Sequence, residues 1–191
     1  MNKTTLCLVR HGQTKSNRRN LNQGWNDAGL NDVGRMQIEQ LSQILVQKKW
    51  DCVISSDLER AKESAQILAQ KLKIPLLLSQ ELRERGHGLL EGKQVAELRK
   101  EHPEINFTSS IPGRETLRSF ISRSKKIFED IAKLMEGKKV IIVSHGGLLK
   151  NILHHNFSRT FASRQNAEQK TIYRNKGEWA RDNDQAGVRC D

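Results

Sequence analysis

The chain has 191 residues, with 33 Lys and Arg against 22 Asp and Glu, so its formal net charge is +11. That length suffices for one domain with a substantial core, and we expect residues 1–191 to form a single domain whose segment 182–191 is a frayed tail. The basic surface favours anionic partners, but five Phe, three Trp and one Tyr are few for stacking on bases, which argues against a nucleic-acid partner.

The cysteines and the N-terminal segment bear on the cellular compartment. Cys7, Cys52 and Cys190 form neither an even set nor a metal-ligand spacing, and we expect the first two to be small buried residues of strands. The apolar run before Arg10 is far too short for a signal peptide or a membrane span. The sequence therefore predicts a reduced, cytoplasmic protein with no membrane partner.

Strand-like and helix-like segments alternate along most of the chain. The apolar periodicity predicts strands over 6–9, 52–54, 76–78 and 140–143, and helices over 32–50, 58–72, 93–102, 116–135 and 146–155. Asn31 or Asp32 is expected to cap the first long helix, and a polar residue of 55–57 the second. Two short runs on either side of 175–177 predict a hairpin. The alternation indicates an α/β domain with a mostly parallel central sheet.

Two of these strands end at histidines. The run 6–9 leads directly into Arg10 and His11, and the run 140–143 leads into Ser144 and His145. Apolar runs that stop at polar residues and glycine are typical of buried parallel strands, and ligands of such sheets bind beyond the carboxyl ends. We therefore expect both histidines to share one site.

A phosphoryl group is the ligand that best fits these residues. A neutral imidazole attacks phosphorus to form a phosphohistidine, a guanidinium donates paired hydrogen bonds to the phosphoryl oxygens, and a helix opening at Gly146 adds backbone N–H groups. A lone histidine after a strand is more often a structural residue, so the hypothesis depends on the pair. A metal site is the alternative, but no HExxH motif, cysteine pair or carboxylate partner accompanies the histidines, and we expect neither metal nor cofactor.

Five segments resemble motifs of the histidine phosphatases, also called the phosphoglycerate mutase-like superfamily. They are 8–14, close to L-x-R-H-G-[EQ]-T and followed by Asn17; 23–34; 55–61, close to S-S-D-L-x-R-[AT]; 82–92, close to L-x-E-x-x-x-G-x-x-E-G; and 144–147. The resemblance implies a three-layer α/β sandwich, with helices on both sides of the sheet. It also implies a phosphomonoester hydrolase that acts through a phosphohistidine on a small phosphorylated metabolite.

The resemblance further implies a role for each motif residue. His11 is the expected nucleophile, while Glu84 protonates the leaving alcohol and then activates water. The expected ligands of the phosphoryl oxygens are Arg10, Arg60 and His145. The other expected contacts to phosphate or substrate are Asn17, Gln23, Gly24, His87 and Gly146. Without the resemblance, Glu84 is better explained as a solvated member of the charged run 81–85.

The chain departs from the mutases of this family. Ser16 and Gly147 stand where the mutases have tryptophan and asparagine, and the interval between Glu84 and His145 leaves no room for the long mutase insertion. Because a phosphohistidine needs a closing lid to escape water, we expect hydrolysis. The alternatives are phosphoglycerate mutase-type transfer, a phosphoprotein phosphatase and a non-catalytic phospholigand module; the assembly is expected to be a monomer or a homodimer.

Substrate choice is expected to depend on residues around this pocket. The candidates are Gln13, Gln23, Arg85, His87 and the loop 102–115. Within that loop Arg114 replaces a glycine of the family pattern, so it either favours a second anionic group on the substrate or is simply solvated.

Overall fold

A sheet of six strands runs through the part of the chain that the structure, a computed structural model, describes: residues 3–106, 108–157, 166–175 and 178–181. The strands are β1 (Thr4–Arg10), β2 (Cys52–Ser56), β3 (Leu76–Ser79), β4 (Lys139–Ser144), β5 (Gln169–Asn175) and β6 (Glu178–Arg181). Their order is β3-β2-β4-β1-β5-β6. Strands β1 to β4 run parallel, whereas β5 is antiparallel to both β1 and β6. The predicted mostly parallel sheet is confirmed.

Helices cover both faces of this sheet. They are α1 (Lys15–Arg18), α2 (Asp32–Leu45), α3 (Glu59–Leu72), α4 (Val95–Glu101), α5 (Leu117–Leu134) and α6 (Gly146–Phe157), with 3₁₀ turns at Gln80–Leu82 and Gly88–Leu90. Leu6 and Leu8 of β1 belong to the core cluster that contains Phe128 of α5. Cys7 and Val9 belong to the cluster on the α2 and α3 side. Since successive side chains of a strand point to opposite faces, the result is a three-layer sandwich.

One predicted helix end and one predicted helix cap are wrong. Helix α2 ends at Leu45 instead of continuing to Trp50, because the chain turns back there and the Trp50 indole Nε1 donates to the Leu45 carbonyl at 3.0 Å. Helix α3 begins after Leu58, which makes no side-chain capping bond. The expected cap is engaged elsewhere, because both carboxylate oxygens of Asp57 accept hydrogen bonds from Arg83.

The C-terminal hairpin is present as β5 and β6, which pair from Ile172 opposite Arg181 to Asn175 opposite Glu178. Its turn, Cys190 and the predicted tail 182–191 lie outside the described residues. Cys7 is buried as expected, and burial raises the pKa of its thiol to about 12. Of the helices described, none has both the length and the apolar composition needed to cross a bilayer.

Candidate active site

The two predicted histidines lie side by side at the carboxyl ends of β1 and β4. These strands pair in parallel, and the His11 N–H donates to the Ser144 carbonyl at 3.0 Å. The ring centroids of His11 and His145 are 5.2 Å apart, with 57° between the ring planes. The residues are 2% and 1% exposed, respectively. The structure therefore brings both rings within reach of a single tetrahedral anion.

Hydrogen bonding fixes the tautomer of His11. Its Nδ1 lies 2.7 Å from the carbonyl oxygen of Gly12, and a carbonyl oxygen only accepts, so Nδ1 carries the proton. The lone pair is then on Nε2. Burial above all, followed by the charges of Arg60 and Arg10, lowers the pKa of His11 well below its usual range, against a smaller opposing effect of the bond to Gly12. The ring is thus a neutral imidazole with an available nucleophilic nitrogen near pH 7.

His145 presents a buried nitrogen toward the same space. Its Nε2 lies 2.9 Å from Ser56 Oγ, which also accepts from the Leu58 N–H at 3.3 Å. When the Ser56 hydroxyl donates to Nε2, the hydrogen of the ring is on Nδ1, which is the tautomer that can donate to an anion. Among the described residues, no group accepts a hydrogen bond from this buried Nδ1. Burial, Arg60 and His11 lower the pKa of His145. A buried donor of this kind requires a partner, and a phosphoryl oxygen is a suitable one.

Two arginines supply the positive charge of the site. Arg60, in the first turn of α3, is 1% exposed and donates to the carbonyls of Asn26 at 2.9 Å and Gly24 at 2.8 Å. Burial lowers its pKa to about 10, opposed mainly by Glu84, so the guanidinium remains charged at neutral pH. A Cβ placed on Gly146 would lie 3.5 Å from Arg10 Nε, so the second guanidinium lies against the start of α6.

Glu84 reaches the same end of the sheet from the segment after β3. Its Oε2 accepts from the Gly147 N–H at 2.8 Å and its Oε1 from the Arg85 N–H at 2.9 Å. Burial lowers the pKa of Arg10 and of Arg60, and the nearby Glu84 carboxylate opposes that lowering in both. One expectation changes here, because the Gly147 N–H at the start of α6 donates to Glu84 and is not left for an anion.

Asn17 is held by a residue that the sequence analysis missed. Its Oδ1 accepts from the Thr14 N–H at 3.1 Å and from Asn166 Nδ2 at 3.0 Å, so Nδ2 is the end left for a ligand. Asn166 also donates to the carbonyls of His11 and Gly12, each at 3.2 Å. No sequence pattern singles out Asn166, because two of its three partners are backbone carbonyls.

A cavity of about 440 Å³ opens beside this cluster. It is lined by Arg10, Asn17, Asn20, Leu21, Val95, Ala96 and Asn166. Its size is in the range of small-molecule sites, and its walls combine amide and apolar groups.

A second carboxylate joins the two loops that border the site. Glu91 Oε1 accepts from the N–H groups of Trp25 at 2.8 Å and His87 at 2.9 Å. Glycine is required at position 24, directly before Trp25, because φ there is +51° and a Cβ would overlap the Glu91 carboxylate. The neighbouring Gln23 accepts from the Thr14 hydroxyl at 2.9 Å. His87 has a buried Nδ1 that no described residue contacts by a hydrogen bond, and burial lowers its pKa.

Three of the expected specificity residues have structural partners. Gln13 Oε1 accepts from Asn31 at the start of α2, and Arg85 Nε donates to the Glu115 carbonyl. Arg114 Nη1 donates to two carbonyls of its own loop, at 3.0 and 3.3 Å, so this side chain is not simply solvated, while its buried Nε has no hydrogen-bond partner among the described residues. Within the described part of the chain, no group of three or more His, Cys, Asp or Glu is arranged to hold a metal ion.

Comparison with known proteins places this geometry in a family. The model of the histidine phosphatase superfamily (branch 1) matches residues 6–186. PhoE of Bacillus subtilis, an uncharacterized phosphatase, is 32% identical over 150 residues, which are 78% of this chain and 76% of that protein. The metal-independent phosphoserine phosphatase of Arabidopsis thaliana is 36% identical over 159 residues, covering 78% and 67%. The solved structure of Bacillus stearothermophilus YhfR matches with a TM-score of 0.83 and 27% identity, over 93% of this chain and 95% of that chain.

The chain therefore belongs to the histidine phosphatase superfamily. It is an enzyme of the phosphatase type, and its reaction is phosphomonoester hydrolysis. Phosphoglycerate mutases that depend on 2,3-bisphosphoglycerate are also among the similar proteins, as expected for one superfamily.

Proposed function

We propose that the enzyme hydrolyses small phosphomonoesters through a phosphohistidine formed on His11. The observation that carries this proposal is the neutral His11 ring, with its Nδ1 proton fixed on Gly12, next to His145, the buried guanidinium of Arg60 and the half-buried Arg10. The nucleophilic lone pair and the positive charge that stabilises a phosphoryl group then lie in one enclosed space.

The reaction has two steps. His11 Nε2 forms a bond to phosphorus while the bond to the alkoxide oxygen breaks, and Glu84 donates its proton to that oxygen. Water then attacks phosphorus, its proton passes to the Glu84 carboxylate, and the P–N bond breaks to release inorganic phosphate and the neutral ring. In both steps Arg10, Arg60 and His145 Nδ1 donate hydrogen bonds to the phosphoryl oxygens.

Asn17, Gln23, Gly24, His87 and Gly146 border the phosphoryl position or the leaving group in this proposal. Asn17 supports it most directly, because its fixed Oδ1 leaves Nδ2 as the donor toward the cavity. The cavity of about 440 Å³ is in the size range of small-molecule sites, which supports a metabolite as the substrate.

Two further aspects belong to the proposal. Hydrolysis is favoured over mutase transfer because the segment from Glu84 to α5 is short and holds one helix of seven residues, α4, in the described part. A reducing, cytoplasmic location is supported by the free, buried thiols of Cys7 and Cys52.

Release of p-nitrophenol from p-nitrophenyl phosphate in the presence of a chelator tests the nucleophile. His11→Ala should abolish turnover, without rescue by added divalent metal, because it removes the nitrogen that bonds to phosphorus, whereas Nε2 of the neighbouring His145 is engaged by Ser56. His155→Ala is the matched control, since that ring is exposed in the last turn of α6, at the opposite end of the helix from Gly146. Acid-labile, base-stable protein phosphate after rapid quenching should appear in the wild type and not in His11→Ala. Undiminished turnover of His11→Ala would refute the nucleophile assignment.

A further inference from the structure

The guanidinium of Arg123, on α5, is bound by the Glu115 carboxylate and by the backbone of the segment that carries Glu84. Its Nε and Nη2 donate to the two carboxylate oxygens of Glu115 at 3.0 and 2.8 Å. Its Nη1 donates to the carbonyls of Glu81 at 2.6 Å and Arg83 at 2.9 Å, and Nη2 donates to the Glu84 carbonyl at 3.3 Å. A guanidinium has five N–H donors, and these five bonds use all of them.

This arrangement provides a framework for the segment 81–84, whose regular structure is limited to the end of the 3₁₀ turn Gln80–Leu82. From Glu81 to Glu84 every backbone carbonyl accepts from a side chain of another element. Arg123 binds three of them, Ser144 Oγ binds the Leu82 carbonyl at 2.7 Å, and Trp25 Nε1 also binds the Glu84 carbonyl at 2.8 Å. The side chains of Arg123 and Glu115 are only 14% and 10% exposed, so their ion pair is little screened by solvent.

We infer that Arg123 is a positioning residue for proton transfer, which places the Glu84 carboxyl by binding the backbone on which it stands. This inference rests on the proposed function, in which Glu84 is the proton donor. A positioning role differs from a purely structural one because the loss of kcat in Arg123 variants then depends on how strongly the leaving oxygen needs a proton. Loss of the framework lets the carboxyl move, and a displacement of about 1 Å costs up to ~100-fold in rate.

The charge of Arg123 has a second effect, which a leaving-group series distinguishes from positioning. Its charge contributes, after burial and the nearer cations, to the lowered pKa of His145. Removal of that charge acts on the phosphoryl group itself and slows all substrates alike. The comparison of Arg123→Met with Arg123→Lys, which keeps the charge but has only three donors and no planar fork, separates charge from positioning.

The test is a leaving-group series of p-nitrophenyl, phenyl and alkyl phosphates, measured as kcat and KM for the full chain. Arg123→Met and Arg123→Lys should lose about 10- to 100-fold in kcat on the alkyl phosphate and less than about threefold on p-nitrophenyl phosphate. Arg35→Met is the matched control, because Arg35 of α2 is 45% exposed and its ion-pair partners, Asp32 and Glu63, are not residues of the proposed site. Its series should match the wild type.

A double-mutant cycle with Glu84→Gln separates the possible failures. Glu84→Gln should show the same selective loss, and Arg123→Met in that background should add no further selective loss, since both act through one carboxyl. A flat series for Glu84→Gln would overturn the proton-donor role and hence the proposed function. A steep series for Glu84→Gln with a flat one for both Arg123 variants would overturn this inference alone. If circular dichroism shows that Arg123→Met is unfolded, the leaving-group series of Arg123→Lys tests the inference instead.

Discussion

Gly147 is predicted to be indispensable because it leaves room for the Glu84 carboxylate. A Cβ built on Gly147 would lie 2.4 Å from Glu84 Oε1 and 3.0 Å from its Cδ. Ordinary contacts begin near 3.4 Å, so in Gly147→Ala the carboxylate has to withdraw by about 1 Å. The withdrawal also weakens the 2.8 Å bond from the Gly147 N–H to Oε2.

The expected size of the effect follows from the role of Glu84. General acid catalysis contributes roughly 10²- to 10⁴-fold, and a displacement of about 1 Å forfeits up to ~100-fold of it. The free energy of unfolding should not fall in Gly147→Ala, because position 147 is the second residue of α6. Alanine stabilises a helix relative to glycine by up to about 1 kcal/mol. We therefore expect kcat on an alkyl phosphate to fall by about 10- to 100-fold while the melting temperature is unchanged or higher.

The assay combines the leaving-group series with thermal unfolding and product inhibition. The inhibition constant of inorganic phosphate should stay within about twofold of the wild type, because the new methyl group meets the acid and not the phosphate ligands. Lys150→Ala, at an exposed position of the same helix, is the control for a change of helix composition. Full activity of Gly147→Ala on the alkyl phosphate would show that the carboxylate held by Gly147 is not the proton donor.

The other predictions concern stability, the amide cluster and specificity. Because His11 and His145 stay neutral in the folded state, whereas unfolded histidines take up a proton near pH 6.5, the free energy of unfolding should fall as pH drops below 6.5, by up to about 1.4 kcal/mol per pH unit for each ring. Urea unfolding between pH 5 and 7 measures this, and a pH-independent midpoint would contradict it. Asn166→Asp turns a donor into an acceptor facing Asn17 Oδ1, so phosphate should bind about tenfold more weakly, which phosphate inhibition measures; unaltered inhibition would show that Asn17 is not held by this bond. Arg114→Ala should change the preference between mono- and bisphosphorylated sugars by less than about twofold, since Nη1 of its guanidinium is held by two carbonyls of its own loop; steady-state kinetics with both sugars would reveal a larger, contradicting change.

The central strands were predictable because burial on both faces makes a parallel strand a continuous apolar run. Such a run stops visibly where a polar residue meets glycine, as after Val9 and Val143, and these two ends locate the site. The end of α2 was not predictable in this way. The periodicity continues through Val46, and only the tertiary bond from Trp50 to the Leu45 carbonyl shows where the helix stops.

The same contrast applies to the site. Residues that carry the chemistry stand in compact motifs, and the motif around His11 points to its role from sequence alone. Arg123 and Asn166 lack such a signal because their partners are mainly backbone carbonyls, which every residue possesses and no sequence pattern records. The space required at Gly147 is likewise a property of the folded chain, since it depends on where Glu84 arrives from another segment.

The position of β1 in the sheet also affects when the enzyme can fold during synthesis on the ribosome. Both neighbours of β1 come late in the chain, β4 at Lys139–Ser144 and β5 at Gln169–Asn175, so its two edges stay unpaired through most of synthesis. Nascent chains stalled before β4 hold His11 without His145 and expose an apolar strand that invites association with other chains. The specific activity of a preparation therefore reports how much of the protein is full-length and folded, because truncated or half-folded chains have no phosphatase activity.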